Sequence, residues 1–164
     1  LFAYEGYGVE PDVMTLAKAL GNGVPIGALL AKDAVASHFK PGDHGSTFGG
    51  NPLVCAAAFA TMQAIEDENI LANVNEMGSY FEEKLVGFKE KYDFILDVRG
   101  KGLLLGMELA MKGADIVAKC MEKGVIINCT HDTVLRFLPP LNVTSAEIDK
   151  AVAVMDEVFQ TIEA

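Results

Sequence analysis

Apolar positions recur most regularly toward the end of the chain. Ile148, Ala151, Val152, Met155, Val158, Phe159 and Ile162 follow one another at steps of three and four, the spacing of one face of an amphipathic helix. Thr144 and Glu147 stand three apart just before it, in the pattern of a capping box. Met77, Tyr80, Phe81, Leu85, Phe88 and Tyr92 predict a second helix, and the segment from Ala114 to Lys123 predicts a shorter one that stops at Gly124. Between these helices lie short apolar runs of strand length: Phe94 to Val98, Gly102 to Leu109, Val125 to Cys129 and Val134 to Leu138. Arg99-Gly100-Lys101 reads as the turn joining the first two, and Pro139-Pro140 ends the last because proline cannot donate to a ladder. Helix, two strands, helix, two strands, helix predicts a small α+β or α/β layered unit.

The chain changes character near residue 70. The part before it is rich in glycine and small residues. Pro52 to Glu66 is an alanine-rich helix, with Asn51 as its cap and Pro52 suited to its first position. Ala56, Ala57, Ala58 and Ala60 leave so little bulk that this helix is expected to pack closely against something. Val13 to Ala17 and Ala28 to Ala31 are strands or buried helix, which periodicity does not separate in such short runs. Gly21-Asn22-Gly23 and Val24-Pro25 mark a loop between them. There is no internal repeat.

Charge narrows the partners. The chain of 164 residues carries 23 acidic side chains against 13 Lys+Arg, a net charge of −10. Such a balance repels phosphate backbones and anionic bilayers, so nucleic acid and membrane surfaces are poor partners. No apolar run has the ~18–20 residues of a membrane span, and no signal-peptide pattern opens the chain. Cys55, Cys120 and Cys129 are odd in number and widely spaced, which argues against a disulfide scaffold or a metal site and for the reducing cytoplasm. The chain begins at Leu1 rather than Met, as a piece cut from a longer protein or a processed terminus would.

Three segments carry candidate chemistry. Lys18 lies in the apolar, glycine-flanked stretch Thr15 to Gly27. Either its stem snorkels to the surface, or its amine is desolvated, uncharged and fit for a Schiff base. Ser46 and Thr47 lie in the glycine-rich run Gly42 to Pro52, which leads straight into a helix start. That is an ordinary capped loop, or an anion site made of hydroxyls and helix N–H groups. Arg136 sits between Leu135 and Phe137 in an apparent strand. Its planar fork suits a carboxylate, while a structural ion pair or an outward-facing edge position explains it equally well. His44 and His131 are read as surface histidines, and Glu66-Asp67-Glu68 as a solvated helix end.

Taken in order, four segments resemble the C-terminal part of the class III pyridoxal-phosphate-dependent aminotransferases. They are Thr15 to Gly27, His44 to Leu53, Val98 to Gly106 and Leu135 to Leu141. Within that class they are most similar to the branch acting on N-acetylornithine. The resemblance implies an α/β fold: the C-terminal part of a fold-type-I PLP-dependent transferase. Residues 1–70 would be the tail of the large cofactor-binding domain, and residues 71–164 the small C-terminal α/β domain. It implies pyridoxal 5′-phosphate as cofactor, with Lys18 forming the Schiff base and shuttling the substrate proton. It gives Thr47 to the cofactor phosphate and Ser46 to the substrate, both reaching across a homodimer interface into the neighbouring site. Arg136 would hold a substrate carboxylate. The implied reaction moves the δ-amino group of N-acetylornithine to 2-oxoglutarate, a step of arginine biosynthesis. Ornithine, 4-aminobutyrate and succinylornithine are donors of sister branches, and glutamate-semialdehyde aminomutase is a further relative.

Complete members are more than twice this length. Their main phosphate turn, the aromatic residue stacked on the cofactor ring, the aspartate at its nitrogen and a second substrate arginine all precede the point matching Leu1. The chain by itself is therefore expected not to transaminate, or to be an inert structural piece.

Overall fold

A computed structural model describes residues 1–163. The chain forms two compact units, Leu1–Asn69 and Ile70–Ala164.

The first unit opens with a 3-10 helix over Ala3–Tyr7. Strands β1 (Val13–Leu16) and β2 (Ala28–Ala31) pair antiparallel, with Val13 opposite Ala31 and Leu16 opposite Ala28. Both ambiguous runs are thus strands. The link between them contains a 3-10 turn, Lys18–Gly21, closed by Asn22 in the left-handed region. A single-turn helix α1 (Asp33–Ala36) follows, then α2 (Pro52–Asp67), which packs on the Lys18–Gly21 turn. The cap expected at Asn51 forms, its side-chain oxygen accepting from Val54 N–H at 3.2 Å. Val54 is the one large apolar side chain buried in this unit, whereas Leu29, Leu30, Phe39, Phe48, Leu53 and Phe59 are exposed.

The second unit holds the hydrophobic core. Four antiparallel strands run in the order β3-β4-β6-β5: β3 (Ile95–Lys101), β4 (Leu104–Leu109), β5 (Asn128–Thr130) and β6 (Val134–Phe137). Helices α3 (Ile70–Lys91), α4 (Ala114–Glu122) and α5 (Ser145–Glu163) cover one face. Leu85, Met107, Ile116, Leu135, Met155 and Phe159 meet there with no solvent exposure. Phe159 makes edge-on contacts with Phe88, Tyr92 and Phe94 at centroid distances of 5.1–5.5 Å. Asp156 on α5 ties the helices together, accepting from Lys91 at 2.6 Å and from the Tyr92 hydroxyl at 2.8 Å.

Capping chemistry decides several boundaries. Thr144 and Glu147 close the expected box: Thr144 N–H donates to Glu147 Oε2 at 2.8 Å and Glu147 N–H to Thr144 Oγ1 at 3.4 Å. Gly124, at φ +85°, ends α4 with Gly124 N–H on Met121 O and Val125 N–H on Cys120 O, the two bonds of a Schellman motif. That motif explains a correction. A strand expected from Val125 starts only at Asn128, because the Val125 amide is already used by the helix end. A second correction concerns Arg99-Gly100-Lys101, which is not a turn but the last part of β3, paired with Gly106, Leu105 and Leu104. The turn is Gly102-Leu103, with Gly102 at φ +55°, the glycine-first arrangement of tight hairpins.

Candidate functional site

Lys18 begins where β1 ends. Its φ is +54°, a conformation that costs an L-residue roughly 1–2 kcal/mol because Cβ crowds the carbonyl. Strain of this kind is kept where the surrounding structure needs the side chain in one place. Here the flanking pieces are the strand on one side and the packed 3-10 turn on the other. Gly21 makes that turn tight: a Cβ there would lie 2.9 Å from Ile26 Cγ2.

The strained turn presents Lys18 to a cleft of about 710 Å³. Pro25, Ile26 and Gly27 line one side, and Ser46, Gly49 and Gly50 the other. Lys18 and Ser46, from the two segments singled out in the sequence, therefore line a single cleft. Asn51 fixes the second wall twice over, since it caps α2 and also donates from Nδ2 to Phe48 O at 2.9 Å. Only the cap was legible in the sequence; the bond to Phe48 depends on the loop folding back. Gly49 leaves Ser46 its space, for a Cβ there would stand 2.8 Å from Ser46 Cβ and Oγ. The N-terminal turn of α2 abuts this wall, and Val54 of that turn lines the cleft.

Lys18 is exposed, so the desolvating surroundings read from its apolar neighbours are not supplied by the described residues. Its amine makes no ion pair among them. Thr47 is exposed as well and does not line the cleft that holds Ser46 and Lys18.

Arg136 belongs to the second unit. Leu135 and Phe137 point into the core while Arg136 is exposed on the other face of the sheet. It is neither buried nor on an edge strand, since β6 lies between β4 and β5. It makes no ion pair among the described residues. Arg99, by contrast, is paired: its Nη1 donates to Asp97 at 2.8 Å and to Glu108 at 2.6 Å. Those contacts lift the guanidinium above its usual range, the hydrogen bond to Asp97 contributing most. The same bond holds the Asp97 carboxyl low. His44 and His131 are exposed, as read from the sequence. Among the described residues no His/Cys/Asp/Glu group has the arrangement of a metal site, and no helix is long and apolar enough to cross a membrane.

Comparison with known proteins adds the wider context. The sequence model of the family "Aminotransferase class-III" matches residues 1–159. An acetylornithine aminotransferase of Methanocaldococcus jannaschii is 56% identical over 163 residues, which is 99% of this chain and 41% of that protein. The solved acetylornithine aminotransferase of Elizabethkingia anophelis superposes with a TM-score of 0.88 at 33% identity, over 96% of this chain and 43% of that one. An ornithine aminotransferase of Toxoplasma gondii, described with partial occupancy of PLP at its active site, gives a TM-score of 0.91 at 36% identity, over 98% of this chain and 39% of that one. The chain thus spans about two-fifths of the length of the relatives it matches.

Proposed function

The chain belongs to the class-III aminotransferases, and from that premise we propose that it is the part of a PLP-dependent aminotransferase that carries the cofactor lysine and a substrate arginine. The reaction is transfer of the δ-amino group of N-acetylornithine to 2-oxoglutarate, in arginine biosynthesis, by a cytoplasmic homodimer with shared active sites. One observation carries the reading: Lys18, held at φ +54° at a strand exit, lines a cleft with Ser46 and the start of α2.

The residues present fit pyridoxal 5′-phosphate. A primary amine at Lys18 matches an aldehyde. Hydroxyls beside a helix start match a phosphate. Gly27 and Gly50 leave open backbone along the cleft walls, a Cβ at Gly27 meeting only Leu16 O at 3.6 Å. When bound, the cofactor supplies the electron sink for amino-group transfer. With the cofactor present, Lys18 Nζ would hold it through its aldehyde group and would move the proton at the reacting substrate carbon. Thr47, which is exposed and does not line its own cleft, would serve the phosphate of the partner's cofactor. Ser46 would contact substrate across the same interface, and Arg136 would hold the substrate carboxylate through a fork that has no ion-pair partner among the described residues.

The donor is assigned from the acetylornithine aminotransferases at 56% and 51% identity. Ornithine is the second reading, favoured by the Toxoplasma structure. Borohydride reduction of the full-length holoenzyme followed by peptide mapping tests the lysine assignment. The pyridoxyl group is expected on Lys18, and recovery on another lysine would overturn it. A panel of amino donors then separates N-acetylornithine from ornithine.

A further inference from the structure

Gly106 lies in the middle of β4, and nothing in the fold requires a glycine there. Its backbone is outside the left-handed region. A Cβ at this position would meet Val134 Cγ1 at 3.4 Å, Arg99 O at 3.8 Å and Leu135 O at 4.0 Å, all ordinary contacts. The contrast with its neighbours is sharp: at Gly100 and Gly78 a Cβ would come within 2.2 and 2.6 Å of backbone atoms. A glycine inside a strand weakens it, and one without a packing reason marks a place where another group approaches the backbone.

The register shows what flanks it. Gly106 stands opposite Arg99 on β3 and opposite Arg136 on β6, with Asn128 of β5 next in the row. These are the two arginines of the chain, set roughly 10 Å apart by two strand spacings, with no side chain at Gly106 itself and Val134 Cγ1 bordering the gap. They differ in state. Arg99 is occupied by Asp97 and Glu108, while Arg136 has no ion-pair partner among the described residues. The two acids also make the Arg99 end of the gap unfavourable for an incoming anion.

We propose that Gly106 determines substrate specificity by forming the floor of a slot beside Arg136. The slot accepts a carboxylate on the Arg136 fork and the short uncharged chain behind it, lying flat over the Gly106 backbone. Amino acids and 2-oxo acids with an unbranched stem have this shape. The inference rests on Arg136 being the carboxylate anchor and adds the residue that shapes its surroundings.

Steady-state kinetics and thermal melts of the full-length holoenzyme test it, with Gly106→Ala beside Arg136→Lys. A methyl group on the slot floor is expected to raise KM for the carboxylate-bearing substrates ~10-fold or more, as one methylene does in a fitted pocket. The melting temperature of Gly106→Ala should stay level or rise, because the position has room and alanine suits a strand better. Arg136→Lys should raise the same KM. If Arg136→Lys raises KM and Gly106→Ala does not, the anchor stands and the slot is overturned. If Arg136→Lys leaves KM at its wild-type value, the anchor falls and the slot with it. A Gly106→Ala protein that no longer folds would show that packing requires the glycine, which also overturns the proposal.

Discussion

Thr47 and Ser46 are neighbours in sequence with separate surroundings. Ser46 lines the cleft beside Lys18, and Thr47 does not. If Thr47 serves a cofactor phosphate, Thr47→Ala removes a hydrogen bond to a charged group, worth ~1.5–3 kcal/mol. The cofactor dissociation constant of the holoenzyme should then rise by roughly ten- to a hundredfold with little change in kcat. An unchanged constant would separate Thr47 from the phosphate. Asn51 is a second residue whose loss is informative, because one side chain both caps α2 and holds Phe48. Asn51→Ala should cost about 1 kcal/mol through the cap. It should also loosen the Ser46 wall, so cofactor affinity falls together with the melting temperature. Asn51→Asp restores the cap acceptor but not the Nδ2 donor, and should recover stability more than affinity.

The elements of the second unit are held by close approaches and by charged hydrogen bonds, and each kind makes its own prediction. Gly78 on α3 is buried against the β3–β4 turn, where a Cβ would lie 2.6 Å from the carbonyl carbon and oxygen of Gly102. The obstacle is backbone, which does not rotate aside. Gly78→Ala should therefore destabilise by ~1–3 kcal/mol in a denaturant melt despite its better helix propensity. The β5–β6 turn offers the opposite case. His131 and Asp132 have φ of +50° and +62°, yet the Asp132 group that is used, accepting from Gly113 N–H, is a backbone carbonyl. Asp132→Gly keeps that bond and relieves the strain, so stability should rise by about 0.5–1 kcal/mol.

Acid should act through the helix ties. The Thr144 N–H holds the Glu147 carboxyl below its usual 4.5. At Asp156 burial works in the other direction, but hydrogen bonds from Lys91 and Tyr92 outweigh it and hold that carboxyl low as well. A carboxyl lowered on folding contributes stability above its unfolded value and loses it as pH falls through the folded one. Urea midpoints should thus be level near neutrality and fall below about pH 4.5. Glu147→Gln, which has no proton to gain, should reduce the acid-dependent loss.

At the scale of the whole molecule, the apolar core is unevenly distributed. The cluster of buried side chains lies wholly within residues 70–164. Residues 1–69 bury Val54 and leave Phe39, Phe48, Leu53 and Phe59 at 58–81% exposure. Side chains of that size are seldom left in water in number unless another surface meets them. A polypeptide of residues 70–164 should unfold cooperatively, and one of residues 1–69 should show no sigmoidal transition in a circular-dichroism melt. The chain of 164 residues should self-associate in light scattering as concentration rises. A concentration-independent monomer would argue against those apolar surfaces being built for contact.

The amino-acid sequence by itself determined the features that depend on near neighbours. The faces of α3 and α5, the Thr144–Glu147 box, the Gly124 stop and the Asn51 cap are all set by residues within a few positions of one another, so their pattern is local. The segments that hold Lys18, Ser46, Thr47 and Arg136 stood out for a similar reason: each breaks the composition around it. The tertiary structure alone decided which of these features meet. A period of two says that a strand has two faces, but not which strand lies beside it. Pairing of β4 with β6 places Gly106 between Arg99 and Arg136, and no count of residues along the chain contains that row. The open face of Arg136 and the packing of α2 on the Lys18–Gly21 turn follow likewise from contacts distant in sequence, while the extension of β3 through Lys101 and the pairing of Arg99 with Asp97 and Glu108 are closer in sequence but form only when β3 and β4 pair in register. Their energies exist only once the chain has closed on itself.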